Sequence, residues 1–364
     1  MVTYFNLKAE LNGESPFTTV SGFKLIQKYD SHHNFEFRVP VESIETSTNH
    51  VMDKSKGFIG QSIKFKITDE WGDNNFGNVL HEFNGVVTSI AIARYGGIGG
   101  DLILRGSSPT IILDHGLNTK AFNQTTLSGL VSTVTGKYPF NGVRFKVNPR
   151  PNPQLAFVLQ HKESTYDFLC RMANRYGQWF FFDGKEIIFG KLTGGDAVPL
   201  KFGSDLFDFE LGVYLAPTKF KTMATDANGK SMQEASAPVE HLDQLGSFAL
   251  DQSNKYFFEE QLYNANQSVS SAAELQDLAK IRRASIAAGL VKISGSSSNA
   301  KLKVGGNISV TSPGADHSAT VDYGTFTVIA LKHTMDGLGN YRNSFEAISS
   351  AVDVPPPIGA NSNI

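Results

Sequence analysis

The run Gln160–Phe189 constrains the fold more than any other part of this 364-residue chain. It reads as one helix with a marked start and stop, followed directly by an aromatic strand. Ser164 stands where a hydroxyl can cap the first turn, and Asp167 where a carboxylate reaches back to the free amides. Phe168, Leu169, Met172 and Tyr176 fall on one stripe at helical spacing, with Asp167, Arg171, Asn174 and Arg175 largely outside it. Gly177 is a natural left-handed terminator. Trp179–Phe182 then runs into Asp183 and Gly184, a two-residue hairpin signal, and returns as Glu186–Phe189. On periodicity alone this is an ordinary capped helix packed on a hairpin.

The rest of the chain reads mainly as strands. Phe35, Phe37 and Val39 alternate with polar residues, as do Ile63, Phe65 and Ile67; Phe83–Ala93 and Asp101–Arg105 are joined across a turn of glycines at 96–100. Helical spacing appears at Leu127, Leu130, Val131 and Val134, and stops at Gly136 ahead of Pro139. Residues 205–221 return to strand-like text, whereas 224–270 are polar and irregular. Ser271 and Glu274 form a capping box that opens a helix through Leu275, Leu278 and Ile281, ending at Gly289. Residues 290–350 are strands again. The Pro-rich end, from Val354, can extend neither a sheet nor a helix and reads as a linker. With 27 Phe and 34 Gly, many short strands with tight turns are favoured over a helical bundle.

An internal similarity bears on the fold. Ile63, Phe83 and Leu102 lie twenty and nineteen residues apart; Ile308, Phe326 and Phe345 lie eighteen and nineteen apart. Any two meanders can share such spacing, and two similar β-barrels, one at each end of the chain, would share it too.

Composition excludes several function classes. Net charge is −2, from 33 basic and 35 acidic residues, with no long basic block, which argues against nucleic acid. No run of eighteen apolar residues exists to span a membrane, and the start lacks the plan of a secretory signal. The single cysteine, Cys170, excludes an internal disulfide and reads as a buried, inert thiol. Neither His-Glu-x-x-His nor paired Cys-x-x-Cys occurs, and His32 and His33, adjacent on a strand, would point to opposite faces. Gly229–Ser231 echoes the end of a phosphate loop without the preceding strand, and the glycines at 96–100 lead into a strand where a dinucleotide fingerprint needs a helix. No Gly-x-Ser-x-Gly elbow is present. No enzyme, cofactor or metal site is expected.

Read as wording, Gln160, Glu163, Ser164, Phe168, Leu169, Arg171, Gly177, Phe180 and Phe182 resemble a signature of VgrG, the spike protein of type VI secretion systems. Phe83–Val86, Leu102–Asp114 with Ala121–Leu127, and the closing strands with His333, Tyr341, Asn343 and Phe345 are similar to further passages of that family. The resemblance covers nearly the whole chain, least over the middle excursion. It implies an α+β, mainly β, phage baseplate-hub-like fold with two β-barrel tube domains, at 1–106 and at 205–223 with 286–350. A mixed α/β domain at 107–204, an inserted excursion at 224–285 and a linker at 351–364 toward a missing spike domain complete the expectation. On this resemblance the family's C-terminal small barrel and β-helix needle are expected to be missing, either because this is a truncated hub portion or because the tip is a separate chain.

The implied function is structural. A homotrimer would carry six barrels, seat on a hexameric tube of Hcp type, contact baseplate components, and support a tip protein and effectors. It would assemble in the cytoplasm and leave with the injection machine. The named signature residues, His333 included, would be structural. The hub of a phage tail or of an extracellular contractile injection system is the related alternative, and a carbohydrate-active enzyme or lectin the remote one.

Overall fold

The computed structural model describes residues 5–45, 50–69, 78–95, 99–225, 232–238, 242–265, 269, 271–314 and 319–357. The first strands are β1 (Phe5–Leu11), β2 (Gly22–Lys28), β3 (Asn34–Pro40), β4 (Ser62–Asp69), β5 (Val79–Arg94) and β6 (Gly100–Ser107), with a short helix α1 (Val51–Ser55) before β4. They pair antiparallel in the order β1-β4-β5-β6-β3-β2. Strict alternation decides which face is inside: Phe35, Phe37 and Val39 are buried, while Glu36 on the opposite face binds Arg38 and Arg105 at 3.0 and 2.8 Å. Phe23, Phe35, Phe37, Phe65 and Phe83 pack with ring centroids 5.0–6.1 Å apart, mostly edge to face.

Next come β7 (Asn118–Thr126), α2 (Leu127–Thr135), β8 (Arg144–Asn148), β9 (Gln154–Glu163), α3 (Thr165–Arg175), β10 (Trp179–Phe182) and β11 (Glu186–Gly190). β7 pairs with β9, and β10-β11-β8 form a small mixed sheet. The Thr126 hydroxyl caps α2 by accepting from Gly129 N, and Leu127, Leu130, Val131 and Val134 are its buried face, as the spacing predicts.

The chain then lays down β12 (Val198–Lys201) and β13 (Leu206–Val213), followed by β14 (Phe220–Thr225), β15 (Met232–Ala235), α4 (Gln244–Tyr256), β16 (Gln261–Asn264) and α5 (Ala272–Ala288). It ends with β17 (Val291–Ser297), β18 (Asn307–Pro313), β19 (Thr320–Asp336) and β20 (Tyr341–Ser349). β12, β18, β19, β20, β17 and β13 form a second curled unit, whose two ends are bridged at Phe202 and Leu206. β14, β15 and β16 instead make a separate three-stranded sheet against α5.

The strand membership here differs from the sequence expectation at two boundaries. β12, expected within the mixed domain, belongs to the second barrel; at four residues with an internal Pro199 it carries no strand period. β14, expected within that barrel, belongs to the insertion. α4 was not anticipated because its buried face is Gly246, Ala249 and Ser253, which leaves no apolar stripe to read.

The two curled units repeat one plan. β4-β5-β6 corresponds to β18-β19-β20, with long middle strands of 16 and 17 residues. β3 and β2 continue the first meander as β17 and β13 continue the second. The outer strands differ: β1 runs antiparallel to β4, whereas β12 runs parallel to β18. β2 pairs with the second half of β19, so both barrels share one 12-stranded sheet.

The Pro-rich segment, expected to be a linker, is packed as far as Pro357. Val352 and Val354 lie in the second core. Prolines present no N–H to satisfy, and carbonyls here find donors: Trp179 Nε1 to Asp353, Ser285 Oγ to Pro355 and Tyr29 Oη to Pro356, at 3.2, 2.7 and 3.0 Å. Residues 358–364 lie outside the described residues, as do 96–98 of the first glycine turn and the Gly229–Ser231 echo of a phosphate loop.

Candidate functional site: the joint between the two barrels

The helix–hairpin is the piece that fastens one barrel to the other. Ser164 caps α3 by accepting from Asp167 N at 3.0 Å and donates its own proton to the Asp167 carboxylate. Gln160 Nε2 donates to the carbonyls of Glu163 and Ser164, both at 3.3 Å. Arg171 grips Glu163 with two nitrogens, at 2.6 and 3.1 Å, and the Leu159 carbonyl at 2.8 Å. This fork locks the helix to the end of β9. Phe168, Leu169 and Met172 are fully buried on the opposite face. Gly177 follows with φ +59°, and a Cβ there would stand 2.8 Å from Ile281 Cγ2.

All four side chains of β10 are buried, and strand alternation sends them to different places. Phe180 and Phe182 enter the first core, while Trp179 and Phe181 enter the second. The hairpin turn is displaced by one residue from its sequence signal. Asp183 pairs with Glu186, its Oδ1 accepts from Lys185 N and Glu186 N, and Gly184 and Lys185 form the tip. Gly184, at φ +104°, lies so close to β5 that a Cβ would stand 2.5 Å from the Glu82 carbonyl. Asn84 N donates to Gly184 O at 2.9 Å, and Glu82 binds both Lys64 and Lys185, at 2.6 and 2.7 Å.

Where β2 meets β19, a buried polar chain crosses the seam. Asn343 Nδ2 donates to the Tyr341 hydroxyl at 3.1 Å, and that hydroxyl donates to His333 Nδ1 at 2.6 Å. His333 Nε2 donates to Gln27 Oε1 at 3.1 Å; Gln27 Nε2 donates to His33 Nδ1 at 3.3 Å; His33 Nε2 ends the run on the Lys28 carbonyl at 3.2 Å. The donation from Gln27 Nε2 requires a neutral His33, and a neutral His333 gives the Tyr341 proton an acceptor. Burial acts the same way, lowering His33 to about 3 and holding His333 well below its usual range. His81, its ring 4.4 Å from that of His333, is lowered to about 4 by burial. His333, Tyr341 and Asn343 were singled out by the sequence, and Phe345 beside them is buried in the second core. Gln27 and His81 were missed, although each is a polar residue at an inward position of an alternating strand.

His32 and His33, expected on a strand, lie just before β3, and their rings go to different surroundings. His32 bonds Thr110 Oγ1 at 2.8 Å and Asp114 Oδ2 at 2.9 Å. Hydroxyl, imidazole and carboxylate thus align, but Thr110 is 2% exposed and also bonded to Ser108. A nucleophile needs access to its substrate, and this hydroxyl has none; it braces the loop after β6. Cys170 is pushed up to about 12 by burial, far from thiolate reactivity. Among the described residues no group of three or more His, Cys, Asp or Glu is placed to hold a metal. No described helix is long and apolar enough to cross a membrane.

The joint and the paired barrels make the comparisons with known proteins specific. Residues 32–196 match the phage tail baseplate hub (GPD) family. That match spans the first barrel from just before β3, the middle elements and the helix–hairpin. Solved structures with the hub-like fold include the tail protein from Neisseria meningitidis MC58, with a TM-score of 0.69 at 11% identity over 97% of this chain and 99% of that one. The 43 kDa tail protein of prophage MuSo2 from Shewanella oneidensis gives 0.63 at 12%, over 95% and 98%. The E. coli c3393 protein, a component of the type VI secretion system, gives 0.61 at 13%, over 96% and 79%. At such identities the likeness is one of fold. No curated protein matches the chain in sequence.

Proposed function

We propose that this chain is the structural hub of a contractile injection machine, acting by assembly and not by catalysis. The observation that carries this reading is the internal repeat: two six-stranded units of the same strand order, side by side in one continuous sheet. A homotrimer of such chains presents six barrels in a ring. A threefold object can then seat on a sixfold tube through closed cyclic symmetry. Hub-like neighbours from phage tails and from a type VI secretion component support the same placement.

Within this reading the trimer caps and nucleates a tube of Hcp type, contacts baseplate components, and supports the puncturing tip with its effectors. It assembles in the cytoplasm and is carried out by contraction. The helix–hairpin packs the middle of the hub, and the barrels supply the tube-docking surface. A phage-tail hub is the second reading, favoured by the family match over 32–196. Co-purification with the tube protein encoded nearby separates the two: an Hcp-type ring supports the type VI hub, and a phage tail-tube protein supports the other. Failure to bind either tube protein would remove both.

A further inference from the structure

The polar face of α3 has no part in the packing that its apolar stripe explains, and it lines a cleft of about 400 Å³ between α3, α5 and the sheet of β14 and β16. This volume lies in the range of small-ligand sites. Three guanidinium groups, of Arg171, Arg175 and Arg282, converge on it. Arg171 is neutralised by Glu163. Among the described residues Arg175 donates to neutral groups, the Ala265 carbonyl at 3.0 Å and the Tyr176 hydroxyl at 3.3 Å. Arg282 Cζ lies over the Tyr263 ring, 3.3 Å from its centroid. Among the described residues neither Arg175 nor Arg282 has a carboxylate within 4.0 Å.

A second observation is independent of charge. Thr222, on β14, is 2% exposed and lines the same cleft, and its hydroxyl has no hydrogen-bond partner. Leu278 and Ile281 supply an apolar wall beside these groups.

The geometry points to a binding site for a carboxylate borne on an apolar body, with Arg175 and Arg282 holding the anion and Leu278 and Ile281 covering the rest. Planar guanidinium groups match a carboxylate by paired hydrogen bonds, and contact with the Tyr263 ring holds Arg282 in its pose. The carboxylate can come from a free small acid or from an acidic side chain of a protein segment.

Calorimetric titration of the full chain at fixed ionic strength tests this with two matched pairs of probes. The first pair is 3-phenylpropionate and its neutral amide. The second is the blocked peptide Ac-Leu-Glu-Leu-NH2 and its Gln counterpart. Acid is expected to bind at least tenfold tighter than its neutral partner in one pair or both, and the pair that does so identifies the source. Arg282→Gln and Arg175→Gln are each expected to weaken that binding about tenfold, with the thermal midpoint retained. Equal binding of acid and neutral probe by the unmodified protein, or no binding of either acid, would overturn the assignment without any variant. Undiminished acid binding by folded Arg175→Gln and Arg282→Gln proteins would overturn it as well. Tube docking is unaffected by any of these outcomes, so failure here and failure of the hub reading remain distinct.

Discussion

The first and second barrels share a strand order but not a filling. The first core is aromatic, built on Phe23, Phe35, Phe37, Phe65 and Phe83. At the matching place the second relies on Ile293, Ile308, Val310, Val328, Leu331 and Ala347 around Phe326 and Phe345. Their outer edges differ too, antiparallel β1 against parallel β12. Strand order and spacing are shared by the two units, while the side chains that fill their interiors differ. A duplicated plan can therefore be invisible in residue identity and still visible in the intervals between inward-facing residues.

The most severe way to break the pair is to remove what joins them. Phe168→Asp or Met172→Asp places a charge on the fully buried face of α3, beneath the hairpin that feeds both cores. Burying an unpaired charge exceeds the stability of an ordinary domain, so both variants are expected to abolish soluble expression. Normal yield from either would show that this stripe is not core.

The difference in filling predicts a difference in tolerance. Phe65→Ala, at the centre of the aromatic cluster, is expected to cost about 3–5 kcal/mol, and Ile308→Val in the second barrel about 1 kcal/mol. Chemical unfolding of both variants checks the ratio. Equal costs, despite the far larger group removed at Phe65, would mean that the ring cluster contributes much less than its buried area implies.

The seam responds to pH. His33, His81 and His333 have folded values below the ordinary histidine value near 6.5, so below that pH the unfolded chain binds protons that the folded chain does not. Stability is full above pH 6.5 and falls as pH drops toward 4 and 3, by up to about 1.4 kcal/mol per pH unit for each group. Thermal midpoints between pH 7.5 and 5 measure this, and His81→Phe is expected to flatten the slope by about one proton. A slope unchanged by that variant would place the titration elsewhere.

Smallest is the effect in the insertion. Ser271→Ala removes the hydroxyl that accepts from Glu274 N and is expected to cost about 1 kcal/mol, read as a small drop in the unfolding midpoint.

Local chemistry was legible where one residue does one job. Ser164, Gly177 and Ser271 occupy the helix termini that their residue types indicate, and alternation identified the inward faces of β3 and β4. What escaped was set by distant partners. Nothing local says that Trp179 and Phe180 serve different cores, or that Pro355 and Pro356 will find Ser285 and Tyr29 as donors. α4 was missed because its buried positions are small residues, and β12 because parallel pairing supports four residues that carry no period. The seam was half legible: His333 and Tyr341 stood out by resemblance, while Gln27 and His81 were readable only as polar residues in inward positions. The arginine cleft is formed by elements far apart in sequence, so only its α3 wall could be seen in advance.

The central claim is that two barrels per chain become six in the assembly. Native mass measurement of the purified protein, followed by particle images along the symmetry axis, tests it most directly. The expected result is a particle of three chains with a ring of six similar densities that binds tube protein. A stable monomer with no affinity for tube protein would contradict it.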